Sequence, residues 1–198
     1  MSYINHLQKD KRLVKILGTE IHELTFHKNI PLRLMASIMS QQLSTKVAKV
    51  IYHRFLNLFN GKEPKPQQVV DIPFDTLRAI GLSNAKTNYV KNVAQFCIDH
   101  KVTDKKLLAM SNEEILEFLT QIKGVGKWTV EMLLMFTLGR EDVLPYDDLG
   151  IQIAMIKLYK LQHLTKKELI QKMQKIAEKW APYRTYACLH LWQWKDQK

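Results

Sequence analysis

The chain has 198 residues, 46% of them apolar, and its 30 lysines and arginines outnumber 19 aspartates and glutamates for a formal net charge of +11. That length supports one domain or two small lobes with a real core, and the charge points to a polyanionic partner, nucleic acid ahead of an anionic membrane. Cys97 and Cys188 are too few for a four-cysteine iron–sulfur cluster and sit in apolar helical patterns, as buried thiols of a reducing compartment do. With no 18-residue apolar run and no signal-peptide core before Glu20, the sequence reads as a soluble intracellular protein.

Residues 1–29 read as one short helix and a tether, with apolar positions at Leu7, Leu13, Ile16 and Leu17. Pro31 suits the first turn of a helix whose buried face is Leu34, Met35, Ile38 and Met39. Ser40-Gln41-Gln42-Leu43 interrupts it. Ser44 caps a second helix with an apolar face of Val47, Val50, Ile51, Phe55 and Leu58. Residues 60–68 (NGKEPKPQQ) are a loop by composition. A short helix from about Phe74 to Ile80 stops at Gly81. Ser83 caps the next, with Lys86, Val90, Val93 and Cys97 on or near one stripe. Ser111 and Glu114 form a capping box for a helix that turns Ile115, Leu116, Leu119 and Ile122 inward.

Gly124 and Gly126 bracket a tight hairpin, where glycine permits positive φ and close approach of another backbone. A helix begins near Lys127, and its free N–H groups beside a lysine make a seat for phosphate. This helix (Val130, Met132, Leu133, Leu134, Met135, Phe136, Leu138) is apolar on nearly every face, which predicts burial on all sides. Beyond a polar break at 139–142, Pro145-Tyr146-Asp147-Asp148 places two carboxylates at the opening of a helix with Leu149, Ile153 and Ile156 on one side. Thr165 and Glu168 form a second capping box, and Leu169, Met173, Ile176 and Trp180 continue that helix to Pro182. A last helix covers Tyr183 to Trp194. No strand, repeat or low-complexity segment is evident, and the class is all-α with about nine or ten helices.

The string IKGVGKWT at 122–129, with an aspartate 20 residues after Trp128, resembles the helix-hairpin-helix DNA glycosylase superfamily. The tryptophan after GVGK and the segment PYDDLGI look like its DNA-3-methyladenine glycosylase II branch. The resemblance runs from about Pro31 to Trp194. It implies an HhH-GPD-like fold of two helical lobes flanking a cleft. One lobe would cover 30–137, with the helix-hairpin-helix at about 113–138. The other would join 1–29 to 138–198 and carry the catalytic aspartate, with hairpin and acidic turn at the mouth between them.

The implied activity is that of a monofunctional DNA glycosylase of base excision repair, which flips alkylated purines such as 3-methyladenine and 7-methylguanine and hydrolyses their N-glycosidic bond. Asp148 is the catalytic candidate, since a carboxylate stabilises the positive charge that develops at the sugar C1′ and can orient water. At the start of a helix it could equally be a plain N-cap, and Asp147 is the competing carboxylate. Branches that nick DNA carry a lysine after the hairpin, where this chain has Trp128. Lys127 lies one place earlier, turned away by about 100°, so water rather than an amine should attack.

Trp128 and Trp192 imply aromatic pocket walls that attract a cationic base, with core packing as the alternative for each. Tyr146 and Trp194 are further candidates. Met132 stands where some relatives have an aromatic residue, and His190 reads as structural. Gln42 corresponds to the wedge that fills the gap left by a flipped nucleotide, or else caps a neighbouring helix, and Gln41 and Leu43 read as its buried support. Gly124, Gly126 and Lys127 would bind phosphate, and in the family a monovalent cation often sits at the 122–126 hairpin. Ser83 and Lys86 could touch phosphate elsewhere, with a capping serine and a solvated lysine as the alternative.

No cofactor, iron–sulfur cluster or other metal is implied. The expected partner is double-stranded DNA with damaged bases, met by a monomer without membrane attachment, in the cytoplasm at a bacterial nucleoid or in a eukaryotic nucleus. A noncatalytic helix-hairpin-helix module binding damaged or branched DNA would share the hairpin and the charge but would not require Asp148 with its paired tryptophans.

Overall fold

The computed structural model describes residues 3–18 and 22–197, so part of the expected N-terminal tether, at 19–21, lies outside the described residues. Among those described, all regular structure is helical, in twelve α-helices and two 3-10 turns. None of these helices is long and apolar enough to cross a membrane. The chain forms two compact units, Phe26–Leu133 and Met1–Thr25 with Leu134–Lys198.

Short-range chemistry sets most helix starts. The N-terminal unit elements are α1 (Tyr3–Leu7) and a 3-10 turn at Leu13–Ile16. In the 26–133 unit, α2 (Ile30–Ser40) begins at Asn29, which adopts φ +61° and accepts the Leu32 N–H, with Pro31 in the first turn. Leu34, Met35, Ile38 and Met39 are buried as the spacing predicts. Helix α3 (Thr45–Asn57) is capped by Ser44 and buries Ile51 and Phe55. Val47 and Val50, expected inside, are 44% and 43% exposed. The apolar period located the stripe, but the covering by other elements stops short of the first turns.

Two short helices were not evident from the pattern. Helix α4 (Pro66–Asp71) starts inside the expected loop. The Gln68 side chain accepts the Lys65 N–H at 2.9 Å, and beyond the other end the Lys91 ammonium donates to the Val70 and Ile72 carbonyls at 2.7 and 2.5 Å. A six-residue helix held at one end by a lysine from elsewhere leaves no periodic signal. Helix α5 (Phe74–Ala79) lies where expected, α6 (Asn84–Asp99) starts after the expected Ser83 cap, and α6 packs against α2, α4 and α5. The other short helix, α7 (Asp104–Leu108), is capped by Thr103. Helix α8 (Asn112–Leu119) carries the reciprocal Ser111–Glu114 box, with bonds of 3.1 and 2.7 Å. Helix α9 (Lys127–Phe136) runs from one unit into the other.

In the second unit, α10 (Leu149–Tyr159) packs against α12 (Arg184–Asp196). Helix α11 (Lys166–Ala177) ends before Trp180, which sits in a separate 3-10 turn rather than continuing the helix. Asp10 is the hub. Its buried carboxylate accepts the Arg12 and Leu13 N–H groups, the Tyr159 hydroxyl at 2.8 Å and the Trp180 indole N–H at 3.1 Å. Burial alone would raise its pKa, but these donors together hold it below the ordinary value.

Candidate active site

The acidic turn is fixed before Asp148 is reached. Arg184, at the start of α12, holds Asp142 with Nε and Nη2 at 2.5 and 2.7 Å. Burial pushes the Asp142 pKa up, and the guanidinium more than reverses this. Thr185 Oγ1 donates to the Arg140 carbonyl at 2.7 Å and accepts the Val143 N–H at 3.0 Å. The turn then closes with Asp148 N–H on the Pro145 carbonyl at 2.9 Å. Gln152 donates to the Tyr146 carbonyl at 2.9 Å, which fixes that turn to the first coil of α10.

Asp148 is the N-cap of α10, half-buried, and its Oδ1 accepts the Ile151 N–H at 2.8 Å. The same oxygen accepts the Trp192 indole N–H at 2.9 Å. Gly150 makes room for this pair, because a Cβ there would lie 3.0 Å from Asp148 Oδ1 and from Trp192 Cδ1 and Nε1. Trp192 therefore holds the carboxylate through its polar edge, while its ring stands 6.0 Å, centroid to centroid, from Phe136. Nothing in the sequence announces a bond across 44 residues. Asp147 is exposed. His190 is buried beside His22 and Tyr3, ring centroids 4.6 and 6.0 Å away, as a structural histidine would be. Trp194 carries the Lys157 ammonium 4.8 Å from its ring centre.

The expectation that α9 is buried all round does not hold. Val130, Leu133, Leu134 and Met135 are buried, but Trp128 and Phe136 are 42% and 47% exposed and Met132 is half-buried. These three recur every four residues on one face, so the helix is buried except along an aromatic and thioether stripe. Lys127 lies 3.5 Å from the Glu131 carboxylate. Apolar composition alone cannot reveal which stripe is left bare.

The hairpin separates the two glycines by role. Gly124 has φ +103°, and a Cβ there would fall 2.1–2.6 Å from the Tyr89 ring, so both backbone and packing require glycine. Gly126 is exposed, and a Cβ there would meet nothing within 4 Å. The chain itself does not need glycine at this position. The Lys123 carbonyl accepts the Asn92 side chain at 3.1 Å, and Val125 N–H closes onto the Ile122 carbonyl at 2.9 Å. Residues 122–126 carry no side-chain oxygen, so a cation there would have main-chain carbonyls as its donors.

Gln42 stands exposed at the tip of the turn after α2, with φ +58°. Two flanking groups anchor it. Lys86 donates to the Met39 carbonyl at 3.1 Å and the Gln41 carbonyl at 2.5 Å, and the Gln41 side chain donates to Thr129 Oγ1 at 3.3 Å. Lys86 is thus not the solvated lysine of the sequence reading. Burial lowers its pKa, and it caps the open end of α2. Leu43, expected to be buried, is 37% exposed beside Gln42.

Cys97 and Cys188 are buried free thiols, and burial raises the Cys97 pKa to about 12. Among the described residues, no group of three or more histidine, cysteine or acidic side chains is placed to hold a metal ion.

A helical chain with a Gly-Val-Gly hairpin, Trp128 just after it and a helix-capping aspartate 20 residues past that tryptophan defines a class, and the chain belongs to the HhH-GPD superfamily of base excision DNA repair proteins, whose model matches residues 35–179. It is 40% identical over 185 residues to DNA-3-methyladenine glycosylase 1 of Schizosaccharomyces pombe, covering 92% of this chain and 80% of that protein. It is 31% identical to a putative DNA-3-methyladenine glycosylase, YfjP, of Bacillus subtilis, covering 80% of this chain but 56% of that longer protein. In structure it resembles the S. pombe 3-methyladenine DNA glycosylase solved with abasic DNA, with a TM-score of 0.82, 37% identity, and coverage of 98% of this chain and 96% of that one.

Proposed function

We propose that the protein is a monofunctional DNA glycosylase of base excision repair, which flips an alkylated purine such as 3-methyladenine or 7-methylguanine from double-stranded DNA and hydrolyses its N-glycosidic bond. One observation carries the reading. Asp148 caps α10 in a family of base-excision repair proteins, with Oδ1 engaged by Ile151 N–H and the Trp192 indole. A carboxylate fixed in place stabilises developing positive charge without reorganising during the reaction.

The bond from C1′ to the base nitrogen breaks, and its electron pair leaves with the base. An alkylated base is already cationic and departs neutral, so it needs little acid assistance. Asp148 offsets the charge on the sugar, and water adds at C1′ and releases a proton. The products are a free base and an abasic site. Trp128 stands where a Schiff-base lysine would be needed, and Lys127 is engaged with Glu131, which supports hydrolysis without strand cleavage. Trp128, Trp192, Tyr146 and Met132 are the proposed pocket residues. The electron-rich rings favour a cationic base by about 0.5–2 kcal/mol.

Gln42 is the proposed wedge, supported by its anchored and exposed turn. The bare surface of Gly126 and the main-chain N–H groups at Gly124 and Lys127 suit a DNA phosphate. A monovalent cation, if bound, would be held by carbonyls of 122–126 and would neutralise phosphate charge there. The protein would act where DNA is kept, in a bacterial cytoplasm or a eukaryotic nucleus.

The test is release of free base from methylated duplex DNA. Asp148→Asn should reduce release by about 100- to 1000-fold while DNA binding is retained, and borohydride should trap no covalent adduct. Undiminished release by Asp148→Asn would overturn the assignment.

A further inference from the structure

One concavity of the Asp148-bearing unit lies away from Asp148. A cavity of about 700 Å³ opens where the N-terminal segment meets α10 and α11, and Lys9, Lys11, Arg12, Lys160, Lys172 and Lys179 line it. Lys160 ends α10 in the left-handed conformation, φ +57°. Asp148 caps the opposite end of this helix, so the two caps are about 18 Å apart along its axis.

The cavity's charge is strongly one-sided. Six cationic side chains face one carboxylate, Asp10, and that carboxylate is already engaged by two main-chain N–H groups, the Tyr159 hydroxyl and the Trp180 indole. The Arg12 guanidinium is tied down, donating to the Tyr159 carbonyl and lying 5.6 Å from the centre of that ring. The five lysines make no ion pair with any described residue. Bringing so many like charges into one concavity without a counter-ion is unfavourable, and an anionic ligand would relieve it.

The type of cation selects the anion. Carboxylates are recognised best by a planar arginine fork, and the one arginine here is occupied. Lysines act as mobile point charges suited to phosphoryl oxygens. The lining also includes apolar surface from Leu161, Leu164 and Ile176 with Tyr159. The volume lies within the range of small-ligand sites and is too small to admit a duplex about 20 Å across.

We propose that this cavity binds a compact cluster of phosphates. The source is either the phosphate chain of a free nucleotide or polyphosphate, or consecutive backbone phosphates of a DNA strand at the protein's surface. The site stands apart from the proposed active site and does not depend on the proposed activity.

The test titrates inorganic tripolyphosphate into the native protein and into the double variant Lys160→Glu/Lys172→Glu, followed by calorimetry at low salt. Both lysines are exposed, and a thermal melt confirms folding. One tripolyphosphate should bind per chain, and the double variant should weaken it at least about tenfold. A second variant, Lys9→Glu/Lys11→Glu in the N-terminal part of the lining, should do the same. Base release from short methylated duplex at saturating DNA should be unchanged in both.

If the source is DNA, the variants should also weaken duplex binding and lower its salt dependence by about two phosphate contacts, and tripolyphosphate should compete with duplex. If it is a free polyphosphate, duplex binding should stay within about twofold of native. Equal tripolyphosphate binding by native and variant proteins would overturn the proposal. So would an oligoglutamate peptide that binds as tightly as tripolyphosphate with the same sensitivity, since that would identify an acidic protein segment instead.

Discussion

Gly150→Ala is the sharpest test of how Asp148 is held. Alanine is ordinarily the better helix residue, by about 0.5–1 kcal/mol, and this position lies in the first turn of α10 without a positive φ. On helix propensity alone the substitution should stabilise the protein. The new methyl carbon, however, would lie 3.0 Å from Asp148 Oδ1 and 3.0 Å from two atoms of the Trp192 indole, tighter than ordinary contact. One of the two must move, and the bond at risk is Trp192 Nε1–H to Oδ1 at 2.9 Å. A hydrogen bond to a charged group contributes about 1.5–3 kcal/mol, so its loss in the transition state slows base release by about 10- to 100-fold. Single-turnover release from methylated duplex reads the rate, and a thermal melt reads the fold. The expected result is a melting temperature within a few degrees of native and a rate at least tenfold lower. A protein that melts higher and releases base at the native rate would refute the argument that this pair positions the carboxylate.

Trp192→Phe keeps a ring but removes the indole donor, and should cost a similar factor in single-turnover rate. Its effect should not add to that of Gly150→Ala in the double variant, because both act on one bond. Gly124→Ala combines φ +103° with a clash against Tyr89 and should destabilise by about 3–5 kcal/mol, seen as a drop of about 10 °C in melting temperature. Asp10→Asn tests the hub through pH. The folded pKa of Asp10 is lowered, so its contribution is fully present above the unfolded value and is lost as pH falls through the folded one. The melting-temperature gap between native and Asp10→Asn should be widest near about pH 7 and close toward about pH 3.

Local chemistry was readable wherever the partners are neighbours in the chain. The Ser111–Glu114 and Thr165–Glu168 boxes, the caps at Ser44 and Ser83, and Asp148 as the opening of α10 all depend on residues within about four positions of each other. What the sequence left dark depends on distance along the chain. Lys86 looks like any helix lysine until α2 is seen to end against it. Helix α10 has apolar residues on both sides, and no pattern says that Ile151, Ala154 and Met155 are covered while Leu149, at 69% exposure, and Ile153 are not. Trp192 could be assigned to a pocket by resemblance, yet its bond to Asp148 is fixed by the packing of α10 on α12.

The two units differ in when they can exist. Residues 26–133 are one continuous run, complete as soon as they have left the ribosome. The other unit is drawn from both ends of the chain, and Asp10 must wait for Tyr159 and Trp180, which follow it by 149 and 170 residues. At about 5–20 residues per second, that wait is about 10–30 s. Throughout it, Tyr3, Leu7 and Leu13, buried in the finished protein, have no core to enter, and Asp10 is an ordinary solvated aspartate. Tyr3, Leu7 and Leu13 are therefore made well before the residues that bury them, and the unit carrying Asp148 is assembled only after α12 has been made. Nascent chains should bind a protecting chaperone through the segment holding Tyr3, Leu7 and Leu13, and release it only after α12 emerges.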